Sequence, residues 1–490
     1  MTTIIPLPAQ IQLDERQFCL NPGAKIIVSN DSAEVFWVGS SLAAKLRPAT
    51  GFALPVQIGT QPAAGDIFLA FGADDPSLGD EGYELFSTPE AVTLRAAGAA
   101  GLFYATQTLR QMFPAEIENP LEQPNLAWTV QCGHIRDIPR YAWRGMMLDL
   151  GRHFFNVETA RRLIDLLAYH KVNVLHLHLS DDQGWRIMIE SWPWLALHGG
   201  STATNGDPGG FYTQDDYREL VTYAAQRYIT IVPEIDLPGH TNAALASYEE
   251  LNENGVSPNL YTGIKVGFSS LSVHKEITYQ FVDDVVREIA ALTPGAYFHI
   301  GGDETLSTSE EDYVYFIERV QKIVGKHGKR MIGWEEIGKT KLNSDTIVQH
   351  WWNKEVTARA AAQGAKVIVS PAAKAYMDIK YHEHTTIGQN WTGAYTEVRE
   401  AYDWEPVETL EGVTEESILG VESALWTETI FTRGNLDFMV FPRLCGYAEI
   451  GWSPREGRDW ESYRQRLAEH GKRLANLGVQ FYRSEQVDWL

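Results

Sequence analysis

Two carboxylates that adjoin in the chain, Asp303 and Glu304, follow the apolar run Tyr297–Ile300 and two glycines, Gly301 and Gly302. Adjacent carboxyls repel, so one of the pair is expected to keep its proton above the usual carboxylate range, which suits a general acid at neutral pH. The glycines let the backbone bend just before them. Comparable residues accompany other apolar runs: Asp149, Arg152 and His153 after Arg144–Leu148; His176, His178, Asp181 and Asp182 in and after Val172–Leu179; Glu234, Asp236 and His240 with Thr230–Ile235. Trp334, Glu335 and Glu336 close the run Arg330–Trp334. His350, Trp351 and Trp352 close Thr346–Trp351, and Trp426 and Glu428 follow Ile418–Ala424. Carboxylates beside tryptophans suit glycoside chemistry: an acid must protonate the leaving oxygen and an oxocarbenium-like centre must be stabilised, while indole faces stack on sugar rings. Two other chemistries use parts of the same set. His176 and His178, two apart on a strand, point the same way and with Asp181 make half a metal site, as a metal-dependent amidohydrolase would need. Against it, the fifth run ends in Trp334 and Glu335 rather than a histidine. A non-catalytic carbohydrate-binding protein would need the tryptophans without the acids, and here both Asp303 and Glu304 are present.

Something must bring these residues together. From about Tyr141 onward, eight short apolar runs recur, the seventh being Lys366–Val369, each followed by a loop and usually a helical pattern. Asn156 is placed to cap a helix over Val157–His170, and Thr213 with Asp216 reads as a capping box. Apolar strands alternating with amphipathic helices predict a parallel sheet covered on both faces. Eight such units predict a (β/α)8 TIM barrel, whose strand C-termini carry the chemistry. A doubly wound open sheet would show a glycine-rich phosphate loop after its first strand, and the chain has none. The long segment from Pro371 to Glu416 holds Tyr376, Asp378, Trp391 and Trp404, and so many aromatics predict an ordered wall of the site. Residues 1–138 read differently: strand-like runs such as Ala24–Val28 and Asp66–Ala70, turns, and one helix over Ala97–Met112. They predict a small α+β domain ahead of a catalytic barrel over 139–490.

Bulk composition narrows the partners. The 490 residues carry a formal net charge of −23, which disfavours nucleic acid and anionic membrane as partners. Three cysteines, Cys19, Cys132 and Cys445, are far apart and show no metal-binding spacing or disulfide framework. No metal or other cofactor is therefore expected. The start, Met1-Thr2-Thr3-Ile4-Ile5-Pro6, does not read as a leader peptide, and no apolar segment is long enough to span a bilayer. The expectation is a cytoplasmic protein, or a secreted one whose leader has been removed.

The segment His299-Ile300-Gly301-Gly302-Asp303-Glu304 resembles the signature of glycoside hydrolase family 20, the β-N-acetylhexosaminidases. So do Trp143-Arg144-Gly145 through Phe154, Leu175 through Arg186 (with Ser180-Asp181-Asp182-Gln183-Gly184-Trp185), and Val232-Pro233-Glu234-Ile235-Asp236-Leu237-Pro238-Gly239-His240. Gly333-Trp334-Glu335-Glu336, Tyr376-Met377-Asp378 and Trp426-Thr427-Glu428 match later motifs, and residues 1–138 are similar to the small domain that precedes the barrel. The resemblance implies an exo-acting, retaining hydrolase that removes terminal GlcNAc and GalNAc from N-acetylhexosaminide oligosaccharides through an oxazolinium intermediate. It makes Glu304 the general acid, then the base. Asp303 would orient the acetamido group, Asp181 and His240 would support Glu304, and Tyr376 would donate to the acetamido oxygen with Asp378 beside it. Arg152 and Glu428 would hold the outer hydroxyls, Trp334, Trp351 and Trp426 would enclose the acetamido methyl, and Trp404 would face the leaving sugar.

Overall fold

A computed structural model describes residues 2–490, and the chain forms two compact units. The first comprises the N-terminal residues through Ala142, Leu166–Lys171 and Val440–Leu490. Its sheet uses β1 (Gln10–Cys19), β2 (Ile26–Val28), β3 (Val56–Ile58), β4 (Ile67–Phe71), β5 (Tyr83–Ser87), β6 (Val92–Ala96) and β7 (Thr129–Asp137) in the order β1-β7-β5-β6-β4-β2-β3. Alternate residues of β5 and β6 are buried, the period expected of a sheet covered on one face. Helices α1 (Ala33–Thr50) and α2 (Ala99–Met112) pack on it, and α2 starts two residues later than expected because Gly98 caps it. Asp137, at the end of β7, is buried and is compensated by Lys171 Nζ at 2.8 Å and the Tyr83 hydroxyl at 2.6 Å.

The second unit, Trp143–Asp165 with Val172–Met439, is built on a closed barrel. Its strands are β8 (Trp143–Asp149), β9 (Val174–His178), β10 (Thr230–Glu234), β11 (Tyr297–His299), β12 (Arg330–Trp334), β13 (Ile347–His350), β14 (Lys366–Val369) and β15 (Ile418–Leu425), each parallel to the next, with β15 closing on β8. The connecting helices include α3 (Val157–Tyr169), α4 (Gln214–Ala225), α5 (Glu276–Leu292), α6 (Glu310–Lys326) and α7 (Lys354–Ala362). Asn156 Oδ1 accepts the Thr159 N–H at 3.0 Å ahead of α3, and Thr213 and Asp216 form the reciprocal capping box of α4. Inside the barrel the lower layer is apolar: Trp143, Val174, Val232, Ile332, Ile347 and Ile368. Register then sets the upper layer, with Asp149 opposite His178, His178 opposite Glu234 and Glu234 opposite His299. Strand C-termini thus present acids and imidazoles at one height, above a hydrophobic floor. Pro371–Glu416 is ordered, with short helices at Val398–Tyr402 and Pro406–Thr409. Among the described residues no helix is long and apolar enough to cross a membrane.

Candidate active site

At the strand C-termini a cleft of about 220 Å³ is lined by Arg152, Ile264, Val266, Asp303, Glu304, Trp351, Tyr376, Gln389, Trp391, Trp426 and Glu428. The turn after β11 builds its catalytic end. Gly301 and Gly302 take positive φ of 66° and 99°, and a Cβ on Gly301 would meet Asp236 Oδ1 at 1.8 Å. Only glycine fits there, and the bend lets the Gly302 N–H reach Asp236 Oδ1 at 3.0 Å. Glu304 itself lies at φ 44°, a left-handed conformation that costs a glutamate on the order of 1 kcal/mol. The bend leaves the pair in unlike surroundings. Asp303 is buried, whereas the Glu304 side chain is 34% exposed toward the cleft.

Burial raises the Asp303 carboxyl, His240 opposes this and Glu304 adds to it, so the raised member of the pair is Asp303, chiefly through burial, and not the residue expected to act as general acid. Asp236 beside it is pushed well above the carboxylate range by burial and by Asp303. Asp236 is therefore the group that keeps its proton, which favours an ionised Asp303.

A polar relay backs the pair. Burial would lower the His240 imidazole, but Asp181, with Asp303, holds it well above its usual range, so it is an imidazolium. Its Nδ1 lies 3.3 Å from Asp181 Oδ1, and its Nε2 lies 3.6 Å from Glu304 Oε2 and 3.7 Å from Asp303 Oδ2. Asp181 is held well below the usual range, against its own burial, by Arg152 and His240. Arg152 Nη2 is 3.0 Å from Asp181 Oδ2, and its guanidinium sits 4.8 Å from the centre of the Trp426 ring. Glu428 is raised by burial with Arg152 opposing. Arg152 Nε, Asp303 Oδ1 and Glu428 Oε2 are buried with no hydrogen-bond partner among the described residues, so donors and acceptors converge on the cleft unspent.

The aromatic wall comes from the ends of four successive strands, β12 to β15. Trp334, Tyr376 and Trp426 share one buried cluster on which Trp351 packs. Trp351 stacks on Tyr376 at 6.4 Å with 12° between the planes, and Trp334 meets Trp426 at 5.8 Å. Tyr376 is raised well above its usual range by burial and then by Asp303, so its hydroxyl is a donor at neutral pH. Trp351 is fixed by its indole N–H to Glu336 Oε2 at 3.1 Å, while its neighbour Trp352 is 56% exposed and does not line the cleft. Burial, with Asp303 adding, pushes Glu336 up to about 7.

Of the twelve residues expected to form the site, seven line the cleft: Arg152, Asp303, Glu304, Trp351, Tyr376, Trp426 and Glu428. Asp181, His240 and Trp334 lie immediately behind them, and Asp378 Oδ2 accepts the Trp391 indole N–H at 3.4 Å. Trp404 does not line the cleft; its indole N–H turns back to the Ala401 carbonyl at 2.9 Å. Trp391, Ile264, Val266 and Gln389 line it instead; the aromatic content of the 371–416 segment is a signal for Trp391, and the sequence carries none for the other three. The half metal site that a metal-dependent amidohydrolase would need is not assembled. His176 pairs with Glu422 and Glu234 inside the barrel, both at 2.8 Å, while His178 bonds Glu234 and Asp181. Other groupings, such as Asp236, His240 and Asp303, bring three ligand atoms near one another, but their charges are already balanced within the relay.

A barrel with an acid pair beside an aromatic box in a cleft at its strand C-termini has the site of a glycoside-cleaving enzyme. The comparisons agree. The family model for the glycosyl hydrolase family 20 catalytic domain matches residues 141–313 and 305–455, and that for domain 2 of the same family matches residues 1–138. A β-N-acetylhexosaminidase of Cellulomonas fimi is 40% identical over 489 residues, 99% of this chain and 97% of its own. The family 20 β-N-acetylhexosaminidase of Streptomyces coelicolor A3(2) superposes with a TM-score of 0.96 at 50% identity, covering 100% of this chain and 99% of that one. A mutant Streptomyces plicatus β-hexosaminidase solved with its product GlcNAc superposes equally well, also at 50% identity, covering 100% and 98%. The chain belongs to glycosyl hydrolase family 20.

Proposed function

We propose that the chain is an exo-β-N-acetylhexosaminidase that removes terminal GlcNAc and GalNAc from the non-reducing ends of oligosaccharides, chitin fragments among them, with retention of configuration. One observation carries the residue roles: a buried carboxylate, Asp303, adjoins both a half-exposed acid, Glu304, and a small aromatic box. Such a box suits a short apolar group on a polar arm, and an acetamido methyl is that group. Glu304 protonates the glycosidic oxygen. The acetamido carbonyl oxygen, held beside C1, forms a bond to that carbon as the bond to the leaving oxygen breaks. Placing this weak nucleophile next to its target replaces a bimolecular encounter. Asp303 stabilises the positive charge on the oxazolinium, and the Tyr376 hydroxyl donates to the oxygen that attacks. Glu304, now an anion, takes a proton from the water that attacks C1, and the acetamide is restored. Two inversions at C1 leave the configuration unchanged. Asp181 and His240 orient Glu304, and Asp378 orients the wall through Trp391. Arg152 and Glu428, with their unspent polar atoms, take the outer hydroxyls.

The catalytic groups all fall in 139–490, the span proposed as the catalytic domain, with 1–138 as the accessory α+β domain; the two family models support the boundary near 139, while Val440–Leu490 belongs to the first compact unit.

The reading is tested with p-nitrophenyl β-GlcNAc and a GlcNAc-derived thiazoline that mimics the oxazolinium. Turnover blocked competitively by the thiazoline is expected. Turnover indifferent to it would mean an enzyme nucleophile, and an inert protein would favour a binding role.

Trp391, 44% exposed at the cleft mouth, is the aromatic proposed to face the leaving sugar in place of Trp404. Trp391→Ala is expected to raise KM for chitobiose about 3- to 10-fold with no change in melting temperature. An unchanged KM would remove that role. Trp426 is a poorer probe, because it is also part of the core and its truncation would destabilise the barrel.

A further inference from the structure

We propose that Glu234, which lies inside the barrel rather than in the cleft wall, is a positioning residue that fixes the acetamido box and the proton-donor relay at once. The proposal rests on Glu304 as the acid and Trp334 as part of the box. One oxygen of Glu234, Oε1, accepts the Trp334 indole N–H at 3.0 Å. The other, Oε2, accepts from His178 Nδ1 at 2.8 Å, and His178 Nε2 donates to Asp181 Oδ2 at 3.0 Å. Asp181 continues to His240 at 3.3 Å and His240 to Glu304 at 3.6 Å. Four side chains, Glu234, His178, Asp181 and His240, thus link Trp334 of the box to the acid, and Glu234 is the one that touches the box residue.

The charge states fit the connections. Both ring nitrogens of His178 face carboxylate oxygens, so both must carry protons. Burial would discharge the ring, but Glu234, with Asp181, holds it well above its usual range. Glu234 is in turn held well below its usual range, against its burial, by His178, His299 and His176. His176 Nε2 lies 2.8 Å from Oε2 and, though burial would lower it, is raised to about 9 by Glu234 and Glu422. A neutral glutamine at 234 would break this arrangement. It has one acceptor oxygen for two partners, and its amide hydrogens would face a donor. Without the Glu234 charge His178 loses the larger of its counter-charges, and as a neutral ring it donates from one nitrogen only, so it can no longer donate to both residue 234 and Asp181.

Two readouts separate the two ends. Thiazoline inhibition reports the box. The fall in kcat/KM from 2,4-dinitrophenyl to phenyl β-GlcNAc reports the proton donor, because a poor leaving group needs the proton and a good one does not. For Glu234→Gln we expect both to move: thiazoline affinity about 10-fold weaker, and the phenyl substrate slowed about 100-fold relative to the dinitrophenyl one. Trp334→Phe, which removes the indole donor together with part of the box wall, should move thiazoline affinity and spare the leaving-group dependence; His178, whose ring packs on Trp426 at 5.0 Å, touches both ends and cannot serve as a one-end control. A folded Glu234→Gln enzyme that moves neither readout, or only one, overturns the proposal. If Glu234→Gln does not fold, Glu234→Asp keeps the charge and shortens the reach, and both readouts should shift together by a smaller factor; a shift in one alone overturns it equally. A wild-type enzyme insensitive to the thiazoline would instead remove the reading beneath the proposal, and the proposal with it.

Discussion

Glu304→Gln is expected to lower kcat/KM for phenyl β-GlcNAc by about 10²- to 10⁴-fold, and that for the 2,4-dinitrophenyl glycoside far less. The argument is local. Glu304 is the member of the acid pair whose side chain opens to the cleft, and the His240 imidazolium stands 3.6 Å behind it. Glutamine keeps the shape and loses the proton. A leaving group that departs as a stable anion does not need that proton, so the first step is spared in proportion to leaving-group acidity. The second step is not spared, because no base remains to take the proton from water. With the dinitrophenyl substrate the intermediate should therefore accumulate, and a burst of dinitrophenol should precede a slow steady state. Equal loss on both substrates, without a burst, would assign the proton to another group.

The barrel was legible because parallel strands buried on both faces read as continuous apolar runs. Arg330–Trp334 and Lys366–Val369 form strands over those same residues, and the other runs differ only at their ends, where register decides the last ladder bond. Asp303 and Glu304 were legible because their chemistry is local, carried by two glycines that the turn requires. Trp391 was not. It and Trp404 lie thirteen positions apart in a segment with no period, and only the fold decides which indole reaches the cleft. Glu422 was hidden inside the run Ile418–Ala424. It sits in the barrel interior because Trp143, Gln349 and His176 all direct polar nitrogens at it, within 2.9 Å. Glu234 looked like a cleft acid for the related reason that a strand's last residue can belong to either the mouth or the interior. Pairing opposite His178 and His299 puts it inside.

Asp303→Asn should give the opposite signature to Glu304→Gln: a loss of about 10²- to 10³-fold that is nearly the same for every leaving group. The charge on the oxazolinium develops whatever leaves, and asparagine can hold the acetamido group without neutralising it. The pH profile separates the roles further. Burial raises the Asp303 carboxyl, and only its ionised form stabilises the intermediate, so wild-type activity should be present above that raised pKa and be lost as pH falls through it. In Asp303→Asn the acid limb contributed by residue 303 should vanish. The protonated Asp236 beside Asp303 favours the Asp303 anion against the burial that opposes it, and so moves the acid limb toward lower pH. An acid limb that survives unchanged in Asp303→Asn would move the titration to another group, with Glu336, pushed up to about 7 behind Trp351, the next to replace. Near-wild-type turnover in Asp303→Asn would leave the oxazolinium without the anion assigned to it, and the substrate-assisted route would lose its main electrostatic support.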